Sequence, residues 1–180
     1  MKNISAVEFK FLSQVMAYPD GKFLKALLEI NKKIPPNISF VDDLIKIAER
    51  ENLSELQAEH TRLFISGYPT TPCPPYESFF LEGRLFGNAN SIVQNVYSKW
   101  AIDVEPALSD HIATEFEFVA LLKALSETSD NYNEAIETVN IFFNEHILKW
   151  VPNFAKTLKT NTQNKFYKLY ADILLNLLGK

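Results

Sequence analysis

The sequence is poor in cysteine and glycine and has no long run of apolar residues. Its 180 residues include one cysteine, Cys73, which can form neither a disulfide nor a cysteine-based zinc site within the chain. Only five glycines are present, which disfavours a turn-rich all-β fold. No apolar run approaches the ~20 residues of a membrane span. The N-terminal segment has no continuous apolar stretch with a cleavage site, so we expect no signal peptide and a soluble, cytoplasmic protein.

The sequence also has no excess of basic residues. It contains 18 lysines and arginines and 22 aspartates and glutamates, which gives a formal net charge of −4. Nucleic acid is therefore not an expected partner, because phosphate binding needs a basic stripe and the sequence contains none. An acidic surface suits a basic partner instead.

Sequence motifs for catalysis are missing as well. The three histidines, His60, His111 and His146, do not have the Glu-x-x-His spacing of di-iron bundles. There is no His-Glu-x-x-His motif, no phosphate-binding loop and no glycine-rich dinucleotide turn. Cys73 has no histidine or other base nearby in the sequence, which indicates a passive thiol. These absences remove the catalytic motifs that a sequence shows directly, but catalytic groups can still converge from distant segments. We expect no metal site and no bound cofactor.

Apolar residues at helical spacing dominate what is present. Hydrophobic residues make up 47% of the chain and aromatic residues 13%, enough for a sizeable core. No segment alternates for long enough to predict a strand. The pattern predicts an all-α, single-domain helical bundle of about nine to eleven helices over residues 1–180, with irregular inserts near 67–75 and 101–109. Helices are predicted at Ala6–Ala17, in the apolar stripe from Phe23 to Ile30, and at Phe40–Arg50, Leu53–Ile65, Tyr76–Leu85, Ser91–Trp100, Asp110–Ser126, Asn133–Leu148, Pro152–Thr160 and Asn164–Leu178.

Polar residues at several helix starts are predicted to cap them. A cap side chain accepts a hydrogen bond from one of the first backbone N–H groups of the helix. The predicted caps are Asp20 for the second helix, Ser54 with Gln57 as a capping box for the fourth, Asn88 or Asn90 for the helix after Gly87, and Asp110 for the most apolar helix.

The helix that begins at Asp110 combines polar residues with the most apolar surface in the chain. His111 and Glu115 share a face at i, i+4, and Phe118 and Leu122 continue the same row. A carboxylate on so apolar a helix must be paired, hydrogen-bonded or used in function. Three interpretations stay open: an N-cap with a surface ion pair, a metal site that lacks a further ligand, and a functional group of acids and histidine.

The stretch Thr71–Gly87 interrupts the helical pattern with three of the nine prolines. Its prolines end one helix, and Pro75 fits the first turn of the next, where no backbone N–H is needed. Tyr76 and Glu77 then stand at a helix start. Ser78 can cap this short helix or contact a bound peptide, and capping is the favoured interpretation.

Five sequence segments, in this order and spacing, resemble those of one known family. The chain is similar to the TorD/DmsD/NarJ family of molybdoenzyme-assembly chaperones, also called redox enzyme maturation proteins, over roughly Phe9 to Leu158. The segments are Ala17-Tyr18-Pro19-Asp20, Glu59 to Gly67 (like Y/W-x-x-L-F-x-G), Pro74 to Ser78 (like P-P-aromatic-x-S), Glu105-Pro106 to Asp110-His111 with the apolar helix that follows (like E-x-P-x-D-H), and Phe143-x-x-His146 to Trp150 with Phe154.

This resemblance implies a TorD-like helical fold and no catalysis. It implies a cytoplasmic chaperone that binds the N-terminal signal peptide, often of the twin-arginine type, of a molybdopterin-containing oxidoreductase. The chaperone would hold this peptide until the cofactor is inserted, before export or membrane attachment. The implied partner is the catalytic subunit with its signal peptide, and the chain itself is expected as a monomer or a homodimer.

A twin-arginine signal has a basic region followed by an apolar one, so its binder needs an apolar slot with acids at one end. Arginine pairs with carboxylates in a bidentate fork, which would orient the peptide. Two alternatives stay open: a small helical enzyme that uses His111, Glu115 and Asp110 as acid and base, and a permanent structural subunit of an oxidoreductase. The expected signal-peptide contacts are Tyr18, Leu63, Phe64, Tyr76, Glu77, Ser78, Phe79, Glu82, Glu105, Pro106, Asp110, His111 and Glu115.

Overall fold

The computed structural model describes residues 4–36, 38–128 and 132–179. Within these ranges every regular element is helical and no strand occurs, so the predicted all-α fold is confirmed. A π-helical turn follows α4 at Thr61–Ile65, a second follows α8 at Phe143–Ile147, and a 3-10 turn covers Pro106–Leu108. The ten α-helices of the described ranges are α1 (Ala6–Val15), α2 (Phe23–Asn31), α3 (Ser39–Ala48), α4 (Leu53–His60), α5 (Glu77–Glu82), α6 (Asn88–Lys99), α7 (Ile112–Thr128), α8 (Tyr132–Phe142), α9 (Leu148–Asn161) and α10 (Lys165–Leu178).

The chain divides into two compact units. The first unit contains residues up to Ser13 together with Pro75–Val151, and so holds α5 to α8. The second unit contains Gln14–Pro74 and the chain from Pro152 onward, and so holds α2 to α4 and α10. The division falls within α1, before Pro75 and within α9 at Pro152. The single domain expected over residues 1–180 stays a prediction.

Helix α7 supplies much of the core of the first unit. Its Phe116 is fully buried and lies 5.7 Å, between ring centroids, from Phe9 of α1. Phe118 packs against Phe142 of α8 at 4.9 Å. The helix is not buried on every side, as its composition had suggested, because Leu121 is 42% exposed. One face of α7 therefore borders solvent, and this is the face that lines a groove described below.

Aromatic packing also holds the second unit together. Phe23 of α2 lies 5.8 Å from Phe166 of α10, and both are buried. Tyr167 of α10 contacts Phe64 of the π-helical turn at 5.3 Å in an edge-to-face arrangement. Such aromatic pairs contribute about 0.5–1.5 kcal/mol beyond their buried area. The aromatic richness of the sequence is thus largely used in packing.

The start of α4 differs from the predicted capping box. The cap is Asn52, whose side-chain oxygen accepts from the backbone N–H groups of Ser54 at 2.9 Å and Glu55 at 3.2 Å. Gln57 donates to the carbonyl of Pro19 at 2.9 Å, so it serves a contact within the second unit. The Ser54–Gln57 capping box is therefore wrong.

The start of α6 is also capped by an unexpected residue. Neither Asn88 nor Asn90 caps this helix, and Gly87 at the cap position has no side chain. The carboxylate of Glu82 instead accepts from the backbone N–H groups of Asn88 at 2.9 Å and Ala89 at 2.8 Å. These two hydrogen bonds lower the pKa of Glu82. A carboxylate at a helix N-terminus is favourable because the unpaired N–H groups there carry partial positive charge.

Candidate functional site

Two of the family-like segments meet in the first unit. The segments Pro75–Glu77 and Asp110–Ile112 pair in antiparallel fashion through two backbone hydrogen bonds of 2.9 Å each. This pairing places Tyr76 opposite His111, with their ring centroids 5.1 Å apart in an edge-to-face arrangement. Both side chains are half-buried and therefore keep some surface for a ligand. Residues far apart in the sequence are thus brought to one place.

Asp110 links this pairing to two helices. One carboxylate oxygen accepts from the backbone N–H of Ser78 in α5, and the other accepts from the side-chain amide of Asn90 in α6, each at 2.8 Å. Asp110 was predicted to cap its own helix, but its side chain caps α5 instead. At the start of α7, the backbone N–H of Ala113 donates to Nδ1 of His111 at 3.1 Å. The predicted N-cap role of Asp110 in α7 is therefore wrong, because a tertiary contact takes its carboxylate.

The loop from Glu105 to Ser109 is fixed by side chains of α6. The amide of Asn90 donates to the carbonyl of Pro106 at 3.0 Å, and the hydroxyl of Tyr97 donates to the carbonyl of Ser109 at 2.9 Å. The side chains of Glu105 and Pro106 are exposed. The loop therefore holds both of these predicted contact residues at the surface in a defined position.

A buried polar cluster lies behind Tyr76. Glu77 and Glu115 are 1% and 0% exposed. Nδ1 of His146 lies 2.9 and 3.1 Å from the two carboxylate oxygens of Glu77, and the indole N–H of Trp150 donates to Glu115 at 3.0 Å. Burial, with the nearby charge of Glu77, raises the pKa of Glu115 well above its ordinary value. The neutral form of Glu115 can then donate a hydrogen bond to the carboxylate of Glu77, which resolves an otherwise unfavourable contact of two buried carboxylates.

His146 and Trp150 were not among the expected site residues. Both stand in the fifth family-like segment of the sequence, and this was the signal that could have identified them. Periodicity gave no such signal, because both residues fit the buried face of a helix. Their roles depend on contacts with Glu77 and Glu115, which lie far away in the sequence.

The remaining expected residues of the first unit have separate positions. Ser78 is buried inside α5, and its hydroxyl has no hydrogen-bond partner among the described residues. The predicted cap role of Ser78 is therefore wrong, because Tyr76 occupies the N-cap position. Phe79 is half-buried and lies 5.5 Å from Phe80, and Glu82 is exposed while it caps α6.

Tyr18, Leu63 and Phe64 belong to the second unit. Leu63 and Phe64 are 0% and 6% exposed, and Phe64 lies 5.0 Å from the ring of His60. Tyr18 is 48% exposed and packs edge-on against His60 at 5.4 Å. Burial lowers the pKa of His60, so this ring stays neutral among its aromatic neighbours. Of these three expected contacts, Tyr18 has the largest accessible surface.

Burial separates the five expected acids into two groups. Glu77, Asp110 and Glu115 are at most 1% exposed and are hydrogen-bonded inside the first unit. Glu82 and Glu105 are exposed. Only the latter two can meet a peptide without a change in structure, and Glu82 is already engaged with the start of α6.

A groove of about 410 Å³ borders the exposed face of α7. Three acids line it, namely Asp103, Glu105 and Glu117, and no lysine or arginine is part of the lining. Lys10 forms an ion pair with Glu117 at the surface. The groove thus combines acids with an apolar floor, which consists of Ile102, Val104, Leu108, Phe118 and Leu121.

The described residues contain no group of three or more histidine, cysteine, aspartate or glutamate side chains that could hold a metal ion. In the same part of the chain, no helix is long and apolar enough to cross a membrane. The expected absence of a cofactor stays a prediction.

Comparison with solved structures identifies the class of protein. A crystal structure from Archaeoglobus fulgidus, assigned as a redox enzyme maturation protein, matches with a TM-score of 0.73 and 26% sequence identity. The match covers 100% of this chain and 97% of that one. The fold is therefore that of the redox enzyme maturation proteins.

Sequence comparison gives the family. The chain is 26% identical over 163 residues to the chaperone protein TorD of Vibrio parahaemolyticus, covering 85% of this chain and 75% of the relative. It is 25% identical over 183 residues to TorD of Vibrio cholerae strain M66-2, covering 93% and 80%. The family model for the nitrate reductase delta subunit matches residues 24–156. The chain belongs to this family, and the resemblance noted in the sequence is confirmed.

These relatives exclude the enzyme alternative that the sequence left open. They are named chaperones, so the protein is a chaperone of molybdoenzyme maturation and not an enzyme. The alternative of a small helical enzyme is therefore wrong. The alternative of a permanent structural subunit stays a hypothesis.

Proposed function

We propose that this chaperone binds the twin-arginine signal peptide of a molybdopterin-containing oxidoreductase. It does so in the cytoplasm and holds the peptide until the cofactor is inserted, before export or membrane attachment. The observation that carries this proposal is the pairing of Tyr76 with His111, at a centroid distance of 5.1 Å. Two segments selected from the sequence as peptide contacts adjoin each other there, and both rings keep exposed surface.

The Tyr76–His111 pair offers chemistry that suits a peptide with an apolar region. Burial, together with the charge of Asp110, raises the pKa of Tyr76, so its phenol stays protonated and can donate a hydrogen bond. An aromatic ring with a polar tip buries apolar area and fixes orientation at the same time. This pair therefore suits the apolar region of the signal, with a backbone carbonyl of the peptide as the acceptor.

Exposed acids suit the basic region of the signal. Glu105 is exposed in a loop that α6 holds in place, and among the described residues it has no ion-pair partner. A free carboxylate at a fixed position can receive an arginine in a bidentate pair. The acidic groove that contains Glu105 and Asp103 supports this assignment, because it lacks lysine and arginine.

The buried acids support the site indirectly. Asp110 holds the start of α5 and the side chain of Asn90, and Glu77 is bound to His146. These contacts fix the backbone on which Tyr76 and His111 stand. We propose that Tyr18 is a further peptide contact in the second unit, since it is half exposed, while Leu63 and Phe64 support it as core residues.

The proposal is tested by calorimetry with two synthetic signal peptides, one with paired arginines and one with paired glutamines. Glu105→Lys should weaken binding of the arginine peptide about tenfold or more, because it replaces attraction by repulsion. It should affect the glutamine peptide much less. Tyr76→Ala should weaken both peptides. The control is Glu127→Lys, an exposed acid on α7 outside the groove. Equal losses for both peptides with Glu105→Lys would refute the role of charge.

A further inference from the structure

A second groove of the first unit takes no part in the proposed signal-peptide site. It has a volume of about 310 Å³ and runs between α6 and α8, so we call it the α6–α8 groove. It shares no residue with the expected peptide contacts. Its lining consists of Val96, Lys99, Trp100, Glu134, Glu137, Thr138, Ile141, Phe142 and His146.

His146 gives this groove a polar group that the chain does not use. Nine-tenths of its side chain is buried, and its Nδ1 is bound to Glu77 at 2.9 Å. The opposite edge of the ring, with Nε2, is therefore the part that lines the groove. No described residue forms a hydrogen bond with Nε2. His146 also lies in the π-helical turn Phe143–Ile147, and such turns frequently occur at functional sites.

The walls of the α6–α8 groove are charged and unpaired. Glu134 and Glu137 are exposed on α8, and among the described residues neither forms an ion pair. Lys99 is the cation of the lining, and it stands in the last turn of α6, where the helix dipole stabilises a positive charge. Two carboxylates against one ammonium leave the groove with a net negative charge.

The apolar part of the lining is accessible as well. Ile141 is 55% exposed, and Trp100 is partly exposed beside it. An exposed apolar strip next to acids is the complement of an amphipathic helix that carries basic residues. A small anion does not fit this site, because the acids would repel it.

We propose that the α6–α8 groove is a second polypeptide-binding site, which takes a cationic amphipathic helix of a partner protein. The apolar face of this helix packs on Trp100 and Ile141, and its basic side chains pair with Glu134 and Glu137. A polar side chain of the helix forms a hydrogen bond with Nε2 of His146. This site is independent of the signal-peptide proposal, since its residues are different.

A synthetic 14-residue helix of leucine, alanine and arginine serves as the probe, with a matched peptide that has glutamate in place of arginine. The arginine peptide should change the fluorescence of Trp100 and shift the imidazole NMR signals of His146. The glutamate peptide should do neither. The fluorescence change should vanish in Trp100→Phe, because the other tryptophan, Trp150, is fully buried.

Substitutions in the groove test its charge. The double variant Glu134→Gln/Glu137→Gln should weaken binding of the arginine peptide roughly three- to tenfold, since two exposed ion pairs are lost. Ile141→Ser should weaken it as well, and Glu127→Gln on α7 should leave it unchanged. The exposed positions of these side chains make loss of folding unexpected, and circular dichroism checks this point.

The two proposals fail in different ways. Only three histidines are present, so the signals of His111 report on the signal-peptide site and those of His146 report on the α6–α8 groove. If the arginine helix leaves His146 and Trp100 unaffected, or if the double glutamine variant binds it as the wild type does, the second site is refuted. If a signal peptide with paired arginines leaves His111 unaffected, the signal-peptide proposal is refuted instead.

Discussion

His146 and Glu77 form a buried pair, with Nδ1 of the imidazole 2.9 Å from Oε2 of the carboxylate. Glu77 also lies beside Glu115, which has no exposed surface. The side chains of His146, Glu77 and Glu115 therefore form one buried cluster of ionisable groups in the first unit. Burial beside the charge of Glu77 raises the pKa of Glu115 well above its ordinary value. Helix α5, which carries Glu77 next to Tyr76, depends on this arrangement.

The first prediction concerns Glu115→Gln. The pKa of Glu115 in the folded state is raised above its ordinary value of 4.5 by burial and by Glu77. Neutral Glu115 therefore contributes its full stabilisation below pH 4.5, and this contribution is lost as the pH rises through the pKa of Glu115 in the folded state. The glutamine keeps an acceptor for Trp150 and a donor for Glu77 but has no proton to lose. We expect the variant to gain stability relative to the wild type as the pH rises.

Urea unfolding between pH 4 and pH 8 measures this difference. The control is Glu127→Gln, which replaces an exposed acid on α7. A difference in unfolding free energy between Glu115→Gln and wild type that stays constant over this range would contradict the linkage.

The second prediction concerns Asp110, whose carboxylate joins α5 to α6. Asp110→Ala leaves the buried N–H of Ser78 and one N–H of the Asn90 amide without their acceptor, while the Asn90 amide keeps its bond to the carbonyl of Pro106. We expect a loss of about 2–4 kcal/mol in the free energy of unfolding, since two buried donors are left unsatisfied. Asn90→Ala should cost less, because Ser78 keeps its partner.

A double-mutant cycle with Asp110→Ala and Asn90→Ala measures the coupling by urea unfolding. The two losses should be less than additive, because both variants remove the same hydrogen bond. Strict additivity would show that the Asp110–Asn90 contact contributes nothing to stability.

The outcome at Asp110 also shows what the sequence could and could not predict. The helix positions could be predicted from the spacing of apolar residues, because helical periodicity is a local property of each sequence segment. Capping was predicted from neighbours in the sequence, and this failed at Asp110 and at Asn88. In both cases the real partner comes from another element: Asp110 caps α5, and Glu82 caps α6.

The candidate site was predictable in part for the same reason. Tyr76 and His111 do lie together, and both belong to segments recognised from the family. The burial of Glu77 and Glu115 was not predictable, because an acid in a sequence is usually exposed. Their burial depends on His146 and Trp150, which approach only after the chain has folded.

The third prediction concerns Cys73. Its side chain is fully buried in the second unit, where its thiol contacts the carbonyl of Phe154. Burial strongly raises the pKa of the thiol. The reactive thiolate is therefore scarce at neutral pH. We expect almost no reaction with a thiol reagent such as DTNB in the native protein, and one equivalent of reaction in urea. Fast labelling of the native protein would contradict this assignment.

The fourth prediction tests the cap of α6 through Gly87. A Cβ atom at this position would lie 2.3–2.6 Å from the carboxylate atoms of Glu82. The backbone at Gly87, with φ of −77°, is compatible with alanine. The cost of Gly87→Ala should therefore come from displacing Glu82 from the backbone N–H groups of α6. We expect a lower free energy of unfolding, because the first N–H groups of α6 lose their acceptor.

The double variant Glu82→Ala/Gly87→Ala separates this cause from others. Once Glu82→Ala has removed the carboxylate, an alanine at Gly87 meets no cap to displace. Gly87→Ala should then be neutral or slightly stabilising, because alanine has less conformational freedom than glycine in the unfolded chain. Urea unfolding of the four proteins in the cycle gives the result. If Gly87→Ala costs the same in both backgrounds, its effect does not pass through Glu82, and the start of α6 must be held by other contacts.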